Sequence, residues 1–209
     1  MKQYHEIGIF AQVLFKYIWQ RSVERRIPPK LGRERSQEEI RPVFLWADES
    51  QFFINQYDAL FQSTARSSRA CTVYLTQNLP GYEAAFMSAG GRPAAEAFLG
   101  NLQTKIFHAN GDPQTNNWAA ESIGRTKQIQ IQGGLSQGES NRSSSQNSGA
   151  SLAVEYLVQP QEFTELKMGG IENDGVVDGI IFQGGRRWLA DEKGKQVPRN
   201  FIRHAFIQE

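Results

Sequence analysis

Two adjacent carboxylates, Asp48 and Glu49, are the residues of this sequence whose position suggests chemistry most directly. They follow the all-apolar run Val43–Ala47, which is typical of a strand buried on both faces of a parallel sheet. In open α/β sheets, ligands bind at the carboxyl ends of the strands. At such a place Asp48 could hold Mg²⁺, directly or through water, while Glu49 orients and deprotonates an attacking water. The other interpretation is an ordinary strand end with two solvated carboxylates.

Two further residues lie at distances along the chain that fit the same chemistry. The next predicted strand, residues 70–76, ends at Gln77, whose amide would lie beside the carboxylates as a sensor of a γ-phosphate or of water. Arg66 falls on the helix predicted between the two strands, and its planar guanidinium suits the phosphate oxygens of a neighbouring subunit's nucleotide. The combination is that of a Walker B strand in a P-loop NTPase. A surface ion pair for Arg66 and a turn for Gln77 are the alternatives.

Hydrophobic periodicity predicts the elements that must position these residues. Apolar residues recur at helical spacing over 3–26, and Pro28 and Pro29 end that helix. After a charged connection, strands alternate with helices. The strands are predicted at 43–47, 70–76 and 103–109, and the helices at 54–68, 93–99 and 113–123. This order predicts a layered α/β fold with a mostly parallel sheet flanked by helices.

Composition divides the chain into three parts. Residues 1–132 carry the alternating strands and helices. Residues 133–151 contain almost nothing apolar and are rich in Gly and Ser, which predicts a flexible linker or loop. Residues 152–209 contain short apolar segments punctuated by glycine, which predicts a β-rich segment that completes the domain or is appended to it.

The overall composition excludes several classes of function. Among 209 residues, 23 Lys and Arg against 22 Asp and Glu give a net charge of +1, so a nucleic-acid role would depend on a local patch or an assembled ring. The single cysteine, Cys71, excludes an internal disulfide, and its place in an apolar strand predicts a packed thiol. No stretch approaches the roughly 18 consecutive apolar residues of a membrane helix, so we expect a soluble chain.

Other kinds of site have weaker support. The histidines His5, His108 and His204 lack the spacing of zinc ligands. A metal-dependent nuclease built on the two carboxylates would lack the further acids of a two-metal site. Basic and aromatic residues within 186–199 could contact single-stranded DNA, although a solvated turn is the more ordinary interpretation.

Three motifs occur in the order LWADESQFF, TARSSRACTVYLTQNL and KIFHANGDPQTNNWAAESIG. Together they resemble the later half of the motor domain of the type IV secretion coupling proteins. These are the conjugative DNA-transfer ATPases of the TraG and TraD group, within the hexameric RecA-like translocases that include FtsK and HerA. The tail, with QPQEFTELKMGG and IIFQGGRRW, resembles the end of TraG-like proteins, so the likeness spans roughly residues 1–209.

The resemblance implies a RecA-like fold in which Asp48 and Glu49 are the Walker B pair. It implies that Arg66 is the arginine finger, that Gln77 is the sensor glutamine, and that Asp48 is the magnesium ligand, directly or through water. ATP and Mg²⁺ would be the cofactors, bound between the subunits of a homo-hexamer. The implied partners are DNA, relaxosome proteins and the type IV secretion channel, at the cytoplasmic face of the bacterial inner membrane.

The sequence departs from that family in two respects, because it contains no G-x-x-x-x-G-K-[ST] loop and no membrane anchor. We therefore expect a C-terminal fragment that lacks the Walker A half and is soluble and cytoplasmic by itself. It should not hydrolyse ATP alone, since that loop supplies the main ligands of the β- and γ-phosphates. The alternative is a non-catalytic recognition module for a relaxosome or substrate protein, as the family's description of this region as a TraM recognition site implies.

Overall fold

The computed structural model describes residues 5–26, 41–135, 146–192 and 195–208. The chain divides into two compact units, residues 1–105 and 106–209. The first contains helices α1 (His5–Glu24), α2 (Gln56–Thr64), α3 (Leu79–Ala85) and α4 (Arg92–Asn101) and strands β1 (Val43–Ala47) and β2 (Ala70–Tyr74). Strand β3 (Thr104–Phe107) lies at the boundary. The second contains helix α5 (Pro113–Ile123) and strands β4 (Arg125–Leu135), β5 (Gln146–Tyr156), β6 (Val176–Gln183), β7 (Trp188–Glu192), β8 (Lys195–Arg199) and β9 (Phe201–Ile207).

Side-chain caps fix the starts of the helices that follow β1 and β2. The Asn55 side chain accepts a hydrogen bond from the backbone N–H of Tyr57 at 2.9 Å, and the Asp58 carboxylate accepts one from the backbone N–H of Asn55 at 2.8 Å. This capping box begins α2. The Asn78 side chain begins α3 by accepting from the backbone N–H of Gly81 at 2.9 Å. The caps therefore fix the path of the chain after each strand.

Strands β1 and β2 form a parallel pair in which Val43 lies beside Ala70 and Ala47 beside Tyr74. The prediction that β1 is buried on both faces is wrong, because Phe44 is 56% and Trp46 70% exposed. Strand side chains alternate between two faces, and only the face that includes the buried Ala47 packs against the described residues of this unit. For the same reason the Cys71 thiol, predicted to be packed, is exposed.

An aromatic cluster forms much of the core of the first unit. The ring of Phe98, which is fully buried, lies 5.2 Å from that of Tyr74, 5.8 Å from that of Tyr82 and 5.6 Å from that of Phe86. Two of these contacts are edge-on and the third is tilted, and edge-on packing is an arrangement that aromatic rings prefer. The cluster joins β2, α3 and α4 around one residue.

A second, polar contact joins α1 to the same core. The Lys16 ammonium donates to the Asp58 carboxylate and to the backbone carbonyl of Phe53, both at 2.5 Å, and the Gln20 amide donates to Asp58 at 2.8 Å. Lys16 and Gln20 are buried, whereas the apolar Phe10 of the same helix is 68% exposed. The predicted amphipathic helix is confirmed. The side chains that it buries include the polar Lys16 and Gln20, because the buried Asp58 carboxylate needs a cation.

The second unit is built mainly from antiparallel strands. Its three-stranded sheet has the order β3-β6-β9, with Val176 paired to Ile207 in the antiparallel β6–β9 ladder. Two antiparallel ribbons, β4–β5 and β7–β8, accompany it. The buried core of this unit contains Ala119, Ala120, Ile123, Val158, Phe163 and Ile180.

The mixed helix and strand architecture confirms the predicted α/β character, whereas a RecA-like, mostly parallel sheet stays a prediction because the observed sheets are small. The predicted boundaries at 132 and 152 also stay a prediction. Strands β4 and β5 extend into the predicted linker at both ends, and its residues 136–145 lie outside the described residues. Among the described residues, no helix has both the length and the apolar character needed to cross a bilayer.

We expect Lys16→Met to lower the free energy of unfolding by about 3–5 kcal/mol, because it leaves the buried Asp58 carboxylate without its cation. Urea denaturation of the purified chain measures this. The matched control is Arg21→Met, which breaks the exposed Arg21–Glu24 pair at 3.0 Å and should leave the free energy of unfolding almost unchanged. Equal losses in the two variants would contradict a structural role for the buried pair.

The buried Tyr82 hydroxyl predicts a pH dependence of stability. Burial raises the pKa of Tyr82 to about 12 from its ordinary value of 10.0, so the native chain keeps this proton between pH 10 and 12 while the unfolded chain loses it. The free energy of unfolding therefore falls as pH rises through that window. In Tyr82→Phe this fall should be shallower by up to about 1.4 kcal/mol per pH unit.

Urea denaturation at several pH values between 10 and 12 measures the slope. The control is Tyr57→Phe, which changes an exposed tyrosine on α2 and should keep the wild-type slope. A wild-type slope in Tyr82→Phe would contradict the prediction.

Candidate functional site

The predicted site residues Glu49 and Gln77 lie together at one edge of the β1–β2 pair. Glu49 follows the end of β1 and Gln77 follows the end of β2. Because the two strands run parallel, their carboxyl ends meet at the same edge, where Gln77 Nε2 donates to Glu49 Oε1 at 2.9 Å. The contact joins residues that are 28 positions apart in the sequence.

The second oxygen of the same carboxylate is also held by an amide. Gln51 Nε2 donates to Glu49 Oε2 at 2.5 Å. The hydrogen bond from Gln77 and then that from Gln51 lower the pKa of Glu49 below its ordinary value. Both bonds favour the ionised form, so this carboxylate stays an acceptor at neutral pH. Sequence reasoning missed Gln51, whose only signal is its position two residues after Glu49.

The backbone of Glu49 adopts a left-handed conformation, with φ 50° and ψ 41°. A non-glycine residue in that region costs about 1–3 kcal/mol and persists only where its surroundings hold it. The hydrogen bonds from Gln51 and Gln77 are the contacts that hold the Glu49 side chain in this conformation. The strained turn aims the carboxylate along the edge of the strands.

Buried hydrogen bonds of Ser50 hold the turn that follows Glu49. Ser50 is fully buried, and its hydroxyl donates to the backbone carbonyl of Leu75 at 2.9 Å and is hydrogen-bonded to the Tyr82 hydroxyl at 2.7 Å. The backbone N–H of Ser50 donates to the same carbonyl at 3.0 Å. The residue after Glu49 is therefore joined both to the end of β2 and to α3.

Asp48 is exposed beside this pair, and its Oδ1 accepts from the backbone N–H of Glu49 at 2.9 Å. Within the described ranges, no three His, Cys, Asp or Glu side chains are grouped to hold a metal ion. Mg²⁺ in phosphate-handling sites is typically held by one or two carboxylates together with substrate phosphates and water. Asp48 fits that requirement as one oxygen ligand.

Arg66 lies away from these residues. Helix α2 ends at Thr64, so Arg66 occupies the turn after it rather than the helix, and its side chain is exposed. This turn leads into Ala70 at the amino end of β2, whereas Glu49 and Gln77 follow the carboxyl ends. The two ends of such a strand are about 13 Å apart. The structure thus brings Glu49 and Gln77 together and places Arg66 away from them.

The remaining candidates have ordinary contacts. The guanidinium of Arg186 lies 5.0 Å from the ring centre of Trp188, which is a local cation–π contact within the basic segment 186–199. Lys193 of that segment lies outside the described residues. His108 Nδ1 is 2.9 Å from the backbone carbonyl oxygen of Asp178, as expected for a satisfied polar residue.

Comparisons with known proteins give the family of the chain and a solved structure of similar fold. Residues 42–168, more than half of the chain, match the family described as the TraM recognition site of TraD and TraG. The chain belongs to this family. A solved structure of the bacterial conjugative coupling protein TrwB is similar to the chain with a TM-score of 0.50 and 15% identity. The likeness covers 81% of this chain and 33% of that one. No curated protein matches.

Family membership identifies the chain as carrying the TraM recognition region of a TraD- or TraG-type protein. At 15% identity the likeness supports the fold alone. The chain spans about a third of the length of the TrwB chain it matches.

We expect Gln77→Leu to raise the pKa of Glu49 toward its ordinary value. The variant removes the hydrogen bond that has the larger effect on this pKa. The measurement is an NMR titration of the Glu49 carboxyl carbon in magnesium-free buffer. Gln103→Leu, which changes an exposed glutamine bonded to the Gly100 carbonyl, is the control and should leave the titration unchanged. An unshifted titration in Gln77→Leu would show that the contact is not formed in solution.

Proposed function

We propose that this chain is the C-terminal half of the RecA-like nucleotide-binding domain of a type IV secretion coupling protein. That protein would couple ATP hydrolysis to the delivery of DNA or nucleoprotein into the secretion channel. The observation that carries the proposal is the hydrogen bond between Glu49 and Gln77 at the shared carboxyl edge of β1 and β2. Membership of the TraD and TraG family supports it.

Each residue then has a defined role. Glu49 orients the attacking water and accepts its proton, since its carboxylate is ionised and fixed in place. Gln77 responds to the γ-phosphate, because its exposed amide already lies 2.9 Å from that base. Asp48 would hold Mg²⁺, directly or through water, and the bound ion would neutralise charge on the phosphates. Arg66, at the other end of β2, would serve the site of a neighbouring subunit in a homo-hexamer.

The phosphate ligands must come from outside this chain. The sequence has no G-x-x-x-x-G-K-[ST] loop, so it lacks the backbone cradle that binds β- and γ-phosphates. We propose that the rest of a longer coupling protein supplies this loop and an upstream anchor in the inner membrane. The 209-residue chain alone should then bind MgATP weakly and not hydrolyse it.

The test is Glu49→Gln in the complete coupling protein that carries this chain. Loss of a positioned general base should lower ATP hydrolysis by about 10²- to 10⁴-fold, while nucleotide binding measured by calorimetry persists. Glu172→Gln, an exposed change in the second unit, is the control and should keep wild-type turnover. Turnover that survives Glu49→Gln would reject the catalytic assignment.

A second candidate function is a non-catalytic recognition module for a relaxosome or substrate protein. It is favoured by the family's own description as a TraM recognition site, which covers residues 42–168. The Glu49→Gln protein separates the two functions when it is also tested for binding to the purified TraM-type protein encoded with it. Unchanged turnover with intact binding would favour the module.

A further inference from the structure

Gln51 and Gln77 hold the two oxygens of Glu49 from different surroundings. Gln77 is exposed, whereas Gln51 is half-buried in the 3-10 turn Ser50–Phe52. Gln51 makes the shorter contact, 2.5 Å against 2.9 Å. One carboxylate is therefore bound by one amide that solvent reaches and by one that is packed.

The packing around Gln51 fixes the base of its side chain. A Cβ built at Gly81, in the first turn of α3, would lie 3.4 Å from Gln51 Cγ and 3.5 Å from Gln51 Cβ. The preceding residue, Ser50, is fully buried and hydrogen-bonded to both Leu75 and Tyr82. The residue before Gln51 is therefore held in place, and the base of the Gln51 side chain lies near the first turn of α3.

Burial of the Gln51 side-chain amide carries an energetic cost. Its Oε1 is buried and has no hydrogen-bond partner among the described residues. Turning the amide over would place Oε1 against Glu49 Oε2 and lose the hydrogen bond from Nε2. Methionine would occupy the same space without an unpaired polar atom. Packing alone therefore does not explain a glutamine at this position.

We propose that Gln51 is a positioning residue, which keeps the Glu49 carboxylate aimed along the strand edge while Gln77 turns to a bound phosphate or to the attacking water. This inference rests on the proposed function, since it assigns the control of that same site. A single hydrogen bond from an exposed amide cannot both hold the base and respond to a ligand. The packed amide of Gln51 holds Glu49 after Gln77 leaves.

The test compares Gln51→Met with Gln12→Met in the complete coupling protein. Gln12 is a matched control because its Oε1 is also buried without a partner among the described residues, yet it lies on α1. We expect both variants to stay folded, which a cooperative unfolding transition in urea checks, although Gln51→Met also loses the hydrogen bond to Glu49. Only Gln51→Met should lower kcat, by about 10- to 100-fold with the KM for MgATP unchanged, because misplacing a catalytic group by about 1 Å can cost 100-fold in rate.

The outcomes separate this inference from the proposed function. Wild-type kcat in Gln51→Met beside an inactive Glu49→Gln would overturn the positioning role alone. Turnover that survives Glu49→Gln would overturn both.

A second measurement, made on the 209-residue chain, depends neither on catalysis nor on whether Gln51→Met folds. The side-chain amide protons of Gln51 should exchange slowly with solvent in the wild type and faster in Glu49→Ala. Equal exchange rates would overturn the contact itself.

Discussion

The fully buried carboxylate of Asp58 is the interaction on which the first unit depends. It accepts hydrogen bonds from Lys16 and Gln20 of α1 and from the backbone N–H of Asn55, and the Tyr74 hydroxyl of β2 lies 3.4 Å away. Burial lowers the pKa of Lys16, and the nearby Asp58 opposes that effect. A buried charge is tolerated only with such partners, so this one residue fixes how α1, α2 and β2 lie against one another.

The same constraint extends to the candidate site. Because Asp58 is bonded to both the start of α2 and the end of β2, the connection between the two parallel strands has a fixed path. The parallel register then brings Glu49 and Gln77 to one edge and leaves Arg66 near the other. In the proposed function this separation has a use. An arginine near the amino ends of these strands, away from the carboxylate at their carboxyl ends, suits a role at the site of a neighbouring subunit.

The sequence predicted the elements that local patterns determine. β1 and α5 have the predicted bounds, and α1, α2, β2, α4 and β3 agree within a few residues, because periodicity, prolines and caps are local signals. Two features were not predictable. The rotation of α1 follows from Asp58, 42 residues beyond Lys16, and not from its apolar pattern. The contact of Gln51 with Glu49 accompanies the left-handed backbone at Glu49, which no sequence pattern predicts.

The stability of the candidate site comes from the helices more than from the sheet. A two-stranded pair is marginal by itself, and one face of β1 leaves Phe44 and Trp46 exposed. The strand pair is therefore stabilised on its opposite face, where the aromatic cluster around Phe98 joins β2 to α3 and α4. Tyr82 of that cluster is hydrogen-bonded to Ser50, directly after Glu49, so the hydrophobic packing around Phe98 is connected to the turn that carries the Glu49 carboxylate.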